Sequence, residues 1–201
     1  MPHISVTAEQ TPLKPAVIMA NSGEITTYQE FDQHSNQVAQ LFRTLGVHAG
    51  DHIALMMENN AHFLEICWGA YRSGVIFTPI STHLKAEEIA YILENCEAKV
   101  FVISHRLRDQ AADLLQVASG IEHRYMFGGI AKGYESWDEV LDQMPREPID
   151  DQSKGTAMLY SSGTTGKPKG VLPVTPDAAY DSPHPLGASL GVFFGFSEET
   201  T

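Results

Sequence analysis

The feature that most limits the fold is an alternation. Short apolar runs recur along the chain, and a stretch with helical periodicity separates each from the next. Residues 52–57, 75–80, 99–104 and 123–127 are strand-sized, rich in Val, Ile, Leu, Met and Phe, and bounded by turn residues. Between them, residues 60–74, 84–95 and 106–118 bring apolar side chains back every three or four positions. Strands apolar on both sides need cover on both faces, and a parallel crossover supplies that cover as a helix. The expected fold class is α/β, a mainly parallel sheet flanked by helices.

Local signals refine this order. Residues 16–20 and Ile25-Thr26-Thr27 flank Asn21-Ser22-Gly23-Glu24, which reads as a hairpin. Thr27 with Glu30 forms a capping box, and a helix follows it to Gly46. Its apolar face carries Tyr28, Phe31, Val38, Leu41, Phe42 and Leu45, which leaves Gln29, Gln33, Asn36, Gln37 and Arg43 outward. The helix opened by Asn59-Asn60 carries the stripe Phe63, Leu64, Cys67, Trp68 and Tyr71 and stops at Gly74. Ile89, Ile92 and Leu93 point inward from the next. Ser136 and Glu139 form a second capping box before a short helix ending near Met144.

The expected organisation has residues 1–15 as an arm and 16–144 as the α/β core. Acidic, proline-containing residues 145–153 form a connector, and 154–171 hold a strand (155–160) and a loop. In 172–201, Pro173, Pro176, Pro183 and Pro185 forbid a continuous helix, so this part reads as an insert.

Composition excludes several function classes. The chain of 201 residues has a net charge of −12, which offers no electrostatic footprint for nucleic acid or anionic lipid. Cys67 and Cys96 lie in apolar helical patterns and make no disulfide framework, so a cytoplasmic location is expected. The first ten residues lack the charged and apolar regions of a signal peptide, and no run reaches transmembrane length. None of the nine histidines falls in a pattern such as H-E-x-x-H, so no metal ligands are expected. His184 reads as a loop residue, Trp68, Tyr71 and Trp137 as packing residues, and Asp150-Asp151 as a solvated pair.

One segment carries chemistry: Ser161-Ser162-Gly163-Thr164-Thr165-Gly166-Lys167-Pro168-Lys169-Gly170, delivered by an apolar strand. Glycines let the backbone approach an anion and turn its N–H groups toward it. Four hydroxyls and two ammonium groups surround them, a donor set suited to nucleotide phosphates. The segment is no Walker loop, because only two residues separate Gly163 from Gly166 and Pro168 stands where a Mg²⁺-binding hydroxyl would be. It does not match the kinase pattern G-x-G-x-x-G either.

At every position the segment resembles the phosphate loop of the adenylate-forming superfamily, which includes acyl-CoA synthetases, luciferases and peptide-synthetase adenylation domains. Ile25-Thr26-Thr27-Tyr28-Gln29-Glu30-Phe31, Leu45-Gly46-Val47-His48-Ala49-Gly50-Asp51-His52-Ile53-Ala54-Leu55 and Gly69-Ala70-Tyr71-Arg72-Ser73-Gly74-Val75-Ile76-Phe77-Thr78-Pro79-Ile80 are similar to further family motifs in the correct order. The resemblance runs from about residue 12 to 171. It implies the first portion of the large N-terminal domain of such an enzyme, inactive by itself.

The resemblance also implies a reaction. A carboxylate attacks the α-phosphorus of ATP, pyrophosphate leaves, and a thiol, usually that of CoA, takes the acyl group. ATP, Mg²⁺ and CoA are the implied cofactor and co-substrates, with a small carboxylic acid as partner. Ser161, Ser162, Gly163, Thr164, Thr165, Gly166, Lys167 and Lys169 become the nucleotide-binding set. Thr165 and Lys169 are expected to act on developing charge, with Lys167 toward solvent. The leading expectation is a fatty-acid–CoA ligase. An amino-acid adenylation domain or a non-catalytic nucleotide-binding remnant remains open, as does the oligomeric state.

Overall fold

The structure is a computed structural model that describes residues 3–118, 120–161 and 167–173. The first elements are α1 (Ile4–Gln10), the hairpin β1 (Pro15–Ile18) and β2 (Ile25–Thr27), and α2 (Tyr28–Thr44). Strands β3 (His52–Met56), β4 (Ile76–Pro79) and β5 (Ala98–Ser104) then alternate with helices α3 (Ala61–Arg72) and α4 (Ala86–Asn95). Helix α5 (Arg108–Val117), β6 (His123–Phe127), β7 (Glu135–Ser136) and α6 (Trp137–Leu141) follow. The described chain ends with β8 (Thr156–Ala157), β9 (Leu159–Ser161) and β10 (Lys169–Val171).

Six strands form one sheet in the order β7-β6-β5-β3-β4-β8, and every neighbouring pair is parallel. The period of two along each strand divides its side chains between two cores. Ile53, Leu55, Val100 and Val102 meet α2, α3 and Trp137 on one face. Ala54, Met56, Phe101 and Ile103 meet α4 and α5 on the other. The expected α/β class, with helices on both faces, is what the structure has.

Four expectations need correction. The opening arm is helical from Ile4. The His3 ring accepts the Ser5 N–H at its start, and Ile4 and His3 are buried. The His3 ring lies edge-on to that of Trp68 on α3, 5.3 Å away. That contact is remote in sequence, so the local pattern does not reveal it. The expected strand 155–160 divides at Met158. Its first part joins the parallel sheet as β8, and its second pairs antiparallel with β10.

The buried stripe of α3 is turned from the expected one. Leu64 is 42% exposed, and the inward residues are Ala61, Glu65, Ile66, Cys67, Gly69, Ala70 and Arg72. Small residues face α2 because the helices lie very close: a Cβ on Gly69 would stand 2.3 Å from the Val38 side chain. The buried Arg72 guanidinium donates to Asp32 Oδ1 at 2.5 Å, which ties the same two helices.

The polar face of α2 also turns inward. Asn36 and Gln37 are buried. Asn36 donates to the carbonyl of Arg146 at 3.0 Å, and Gln37 to those of Leu141 and Met144 at 3.1 and 3.0 Å. Gln40 adds a bond to the Glu147 carbonyl, and Arg43 pairs with Asp151 at 3.0 Å. These side chains take up carbonyls of an irregular segment that has no ladder of its own.

The clipped segment then returns to the sheet. Ser153 N–H donates to the Arg72 carbonyl at 3.0 Å and Gly155 N–H to that of Tyr71 at 2.6 Å. A Cβ on Gly155 would lie 2.3 Å from the Val75 carbonyl oxygen and 2.5 Å from that of Ala70. Backbone on both sides leaves no flexible atom to move aside. Gly155→Ala is expected to cost about 2–3 kcal/mol in urea unfolding and to raise amide exchange at Thr156 and Ala157. Stability within 0.5 kcal/mol or so of wild type, the usual range for a surface change, would show that this approach is not tight.

Candidate functional site

Past Met158 the chain leaves the main sheet as a ribbon. β9 and β10 pair antiparallel with Ser161 opposite Lys169, Tyr160 opposite Gly170 and Leu159 opposite Val171. Met158 N–H donates to the Phe77 carbonyl at 2.9 Å, which fixes the ribbon's base to β4. Gly170 packs closely: a Cβ there would lie 2.2 Å from the Met158 methyl, which would have to move, and 3.1 Å from the Tyr160 ring.

The predicted site residues divide into two groups. Ser162, Gly163, Thr164, Thr165 and Gly166 lie outside the described residues. Ser161, Lys167 and Lys169 are described, and all three are exposed. The hairpin register pairs residue Ser161 with residue Lys169 across the two strands. Lys167 Nζ stands 5.0 Å from the centre of the Tyr91 ring on α4. An exposed hydroxyl opposite an exposed cation, beside a second cation, is a donor set that can bind an anion. Among the described residues, no group of three or more His, Cys, Asp or Glu is placed to hold a metal ion.

Cys67 and Cys96 are buried free thiols. Burial pushes the first up to about 12 and the second upward, so neither supplies a thiolate nucleophile. Among the described residues no helix is long and apolar enough to cross a membrane.

This ribbon on an α/β sheet belongs to a known class. The family model described as AMP-binding enzyme matches residues 4–177, and the chain is a member of that family. It is 32% identical over 171 residues to a crotonobetaine/carnitine–CoA ligase of Escherichia coli, covering 79% of this chain and 33% of the relative. It is 27% identical over 166 residues to a fatty acid–[acyl-carrier-protein] ligase of Streptomyces coeruleorubidus, covering 82% and 31%. The chain thus spans about a third of the length of these curated relatives.

Solved structures agree. The anthranilate–CoA ligase AuaEII in complex with anthranoyl-AMP superposes with a TM-score of 0.73 at 25% identity, covering 90% of this chain and 35% of that one. The N-terminal domain of FACL13 from Mycobacterium tuberculosis gives 0.72 at 25%, covering 84% and 42%. Its relatives are ligases, and the fold is that of the N-terminal domain of adenylate-forming enzymes.

A second polar cluster escaped the sequence reading. Glu65, 2% exposed, accepts from His34 Nδ1 at 2.8 Å and from His62 Nδ1 at 2.7 Å. The His62 ring packs on Phe127 at 4.5 Å. A glutamate between Leu64 and Ile66 was the available signal, but its partner His34 is 31 residues away on α2.

Burial pushes the Glu65 carboxyl upward, but the hydrogen bonds from both imidazoles outweigh it and hold the group down to about 2. The same bond raises His62 above its ordinary value, against the opposing effect of burial. The two signs define a window. The Glu65 contribution is complete above its ordinary value of 4.5 and fades as pH falls toward about 2. The His62 contribution is complete below 6.5 and fades as pH rises through its raised value. Stability of the α2–α3 junction is expected to peak between those limits. His62→Gln should remove the loss on the alkaline side in thermal melts from pH 5 to 9. An unchanged alkaline slope would rule His62 out as its source.

Proposed function

We propose that this chain is the N-terminal part of an ATP-dependent acid–thiol ligase, and that its ribbon grips the phosphates that leave as pyrophosphate. The observation that carries the reading is the placement of Ser161 opposite Lys169, both exposed, within a chain of the AMP-binding family. The names of the relatives support the reaction class, since they are CoA or acyl-carrier-protein ligases.

The proposed reaction has two steps. A carboxylate oxygen attacks the α-phosphorus of ATP, the bond to the bridging oxygen breaks, and pyrophosphate leaves. The thiol sulfur of CoA then attacks the acyl carbon and displaces AMP. In the first step, Lys169 offsets negative charge growing on the leaving phosphates, and the Ser161 hydroxyl donates to a phosphate oxygen. Ser162, Thr164 and Thr165 add hydroxyl donors, and Gly163 and Gly166 give the backbone room to approach. Lys167 contributes charge from the solvent side. Mg²⁺ would accompany the nucleotide and neutralise part of the phosphate charge. The substrate is a fatty or other apolar carboxylic acid, and the enzyme works in the cytoplasm, where buried Cys67 and Cys96 stay reduced.

ATP–pyrophosphate exchange by the complete enzyme, across fatty acids and amino acids, tests the reading. Exchange driven by fatty acids supports it, and exchange driven only by amino acids identifies a peptide-synthetase type of domain. ATP binding without exchange identifies a non-catalytic nucleotide binder. Lys169→Ala is expected to slow exchange by roughly tenfold to a hundredfold, the scale for losing one charge-stabilising group. An unchanged rate would remove Lys169 from the site.

A further inference from the structure

The ribbon has a mechanical problem. Each of its strands has three residues, and Leu159 and Val171 are more than half exposed. An isolated two-stranded ribbon of this size is barely stable in water. Ser161 and Lys169 cannot be held at fixed positions by their own hydrogen bonds alone. Something outside the ribbon has to fix it.

Helix α4 does so from one face. Tyr91 and Asn95 are four residues apart, so both project toward the same side of the helix. The Tyr160 hydroxyl donates to Asn95 Oδ1 at 2.6 Å. Its ring and the Met158 side chain pack against the core shared by α4 and α5. Gly170, opposite Tyr160, lies flat on those two side chains. On the return side, Lys167 Nζ sits over the Tyr91 ring at 5.0 Å, within cation–π range. The contacts therefore fall on residues adjoining each functional group: Tyr160 precedes Ser161, and Lys167 and Gly170 flank Lys169 with Pro168.

We propose that Tyr160, Asn95 and Tyr91 are positioning residues that hold Ser161 and Lys169 in register for the phosphates of ATP. The proposal rests on the phosphate-grip reading above. None of the three touches a reacting atom; they act through the ribbon. Burial, joined by the nearby Cys96 and Tyr91, pushes the Tyr160 phenol up to about 12. It therefore remains a hydrogen-bond donor throughout the neutral range, and the latch does not open with ordinary changes of pH. Asn95 is well suited to accept this bond. Its side chain is short, it ends α4, and the amide oxygen adds no charge to a helix C-terminus that already disfavours anions.

The test is calorimetric titration of inorganic pyrophosphate into the complete enzyme and its variants, with thermal melts of each. Tyr160→Phe removes the hydroxyl and keeps the ring. We expect it to weaken pyrophosphate binding about fivefold, equivalent to about 1 kcal/mol, with a melting temperature close to wild type. Asn95→Ala should match it, and the double variant should be no weaker than either single variant, because one interaction is being removed. Asn95→Gln keeps a neutral amide acceptor and should recover part of the affinity lost in Asn95→Ala. Tyr91→Leu should also weaken binding. A merely structural latch would lower melting temperature without moving affinity, and that result overturns the proposal, as do additive losses or failure of Asn95→Gln to recover any affinity. Lys169→Ala separates the two readings. If it binds pyrophosphate like wild type, or if wild type binds none, the phosphate grip itself fails. If Lys169→Ala loses binding while Tyr160→Phe does not, only the positioning role fails.

Discussion

Four side chains on one face of α2 decide where the second half of the chain goes. Asn36, Gln37 and Gln40 take the carbonyls of residues 141–147, and Arg43 takes the Asp151 carboxylate together with the carbonyls of Val47 and Ser73. These hydrogen bonds fix the path of a segment that has no regular secondary structure of its own. The same interaction directs the chain to Ser153 and Gly155, then into β8 beside β4. The Arg43 bond also holds the Asp151 carboxyl below its usual range.

The sheet supplies the rigid half of the arrangement. β3 is central, with β4 on one side and β5 on the other, so α3 and α4 pass on opposite faces. This is the geometry that follows when every crossover is right-handed. It leaves α4 on the face from which the ribbon departs, where Tyr91 and Asn95 reach Lys167 and Tyr160. The opposite face is built for close helix packing. Gly69 lets α2 and α3 approach, and the Arg72–Asp32 ion pair and the Glu65–His34 hydrogen bond join them. One face of the sheet is thus anchored by ions and the other carries the candidate site.

Much of this is legible in the residues themselves. Strands β3, β5 and β6 announce themselves because both their faces are apolar, and the Thr27–Glu30 capping box marks the start of α2 within a residue. Gly46 and Gly74 stop their helices with positive φ, as a residue without Cβ readily does. The ribbon's chemistry is also local, since Ser161, Lys167 and Lys169 belong to one short segment. β7, only two residues long, has no pattern to read and exists by pairing with β6. Leu64 was assigned inward by hydrophobicity alone, whereas the close approach at Gly69 selects small residues for that face.

The sequence by itself determined the alternating α/β order, the helix boundaries set by caps and glycines, and the donor set that marks an AMP-binding enzyme. Those features depend on period and on neighbours within a few residues, which a linear reading contains. Tertiary structure alone decided which polar groups are buried and whom they meet. Asn36 finds residue 146 and Glu65 finds His34 only after the sheet has brought distant segments together. Such pairings compensate the cost of burying polar atoms, and that cost exists only once the core has closed.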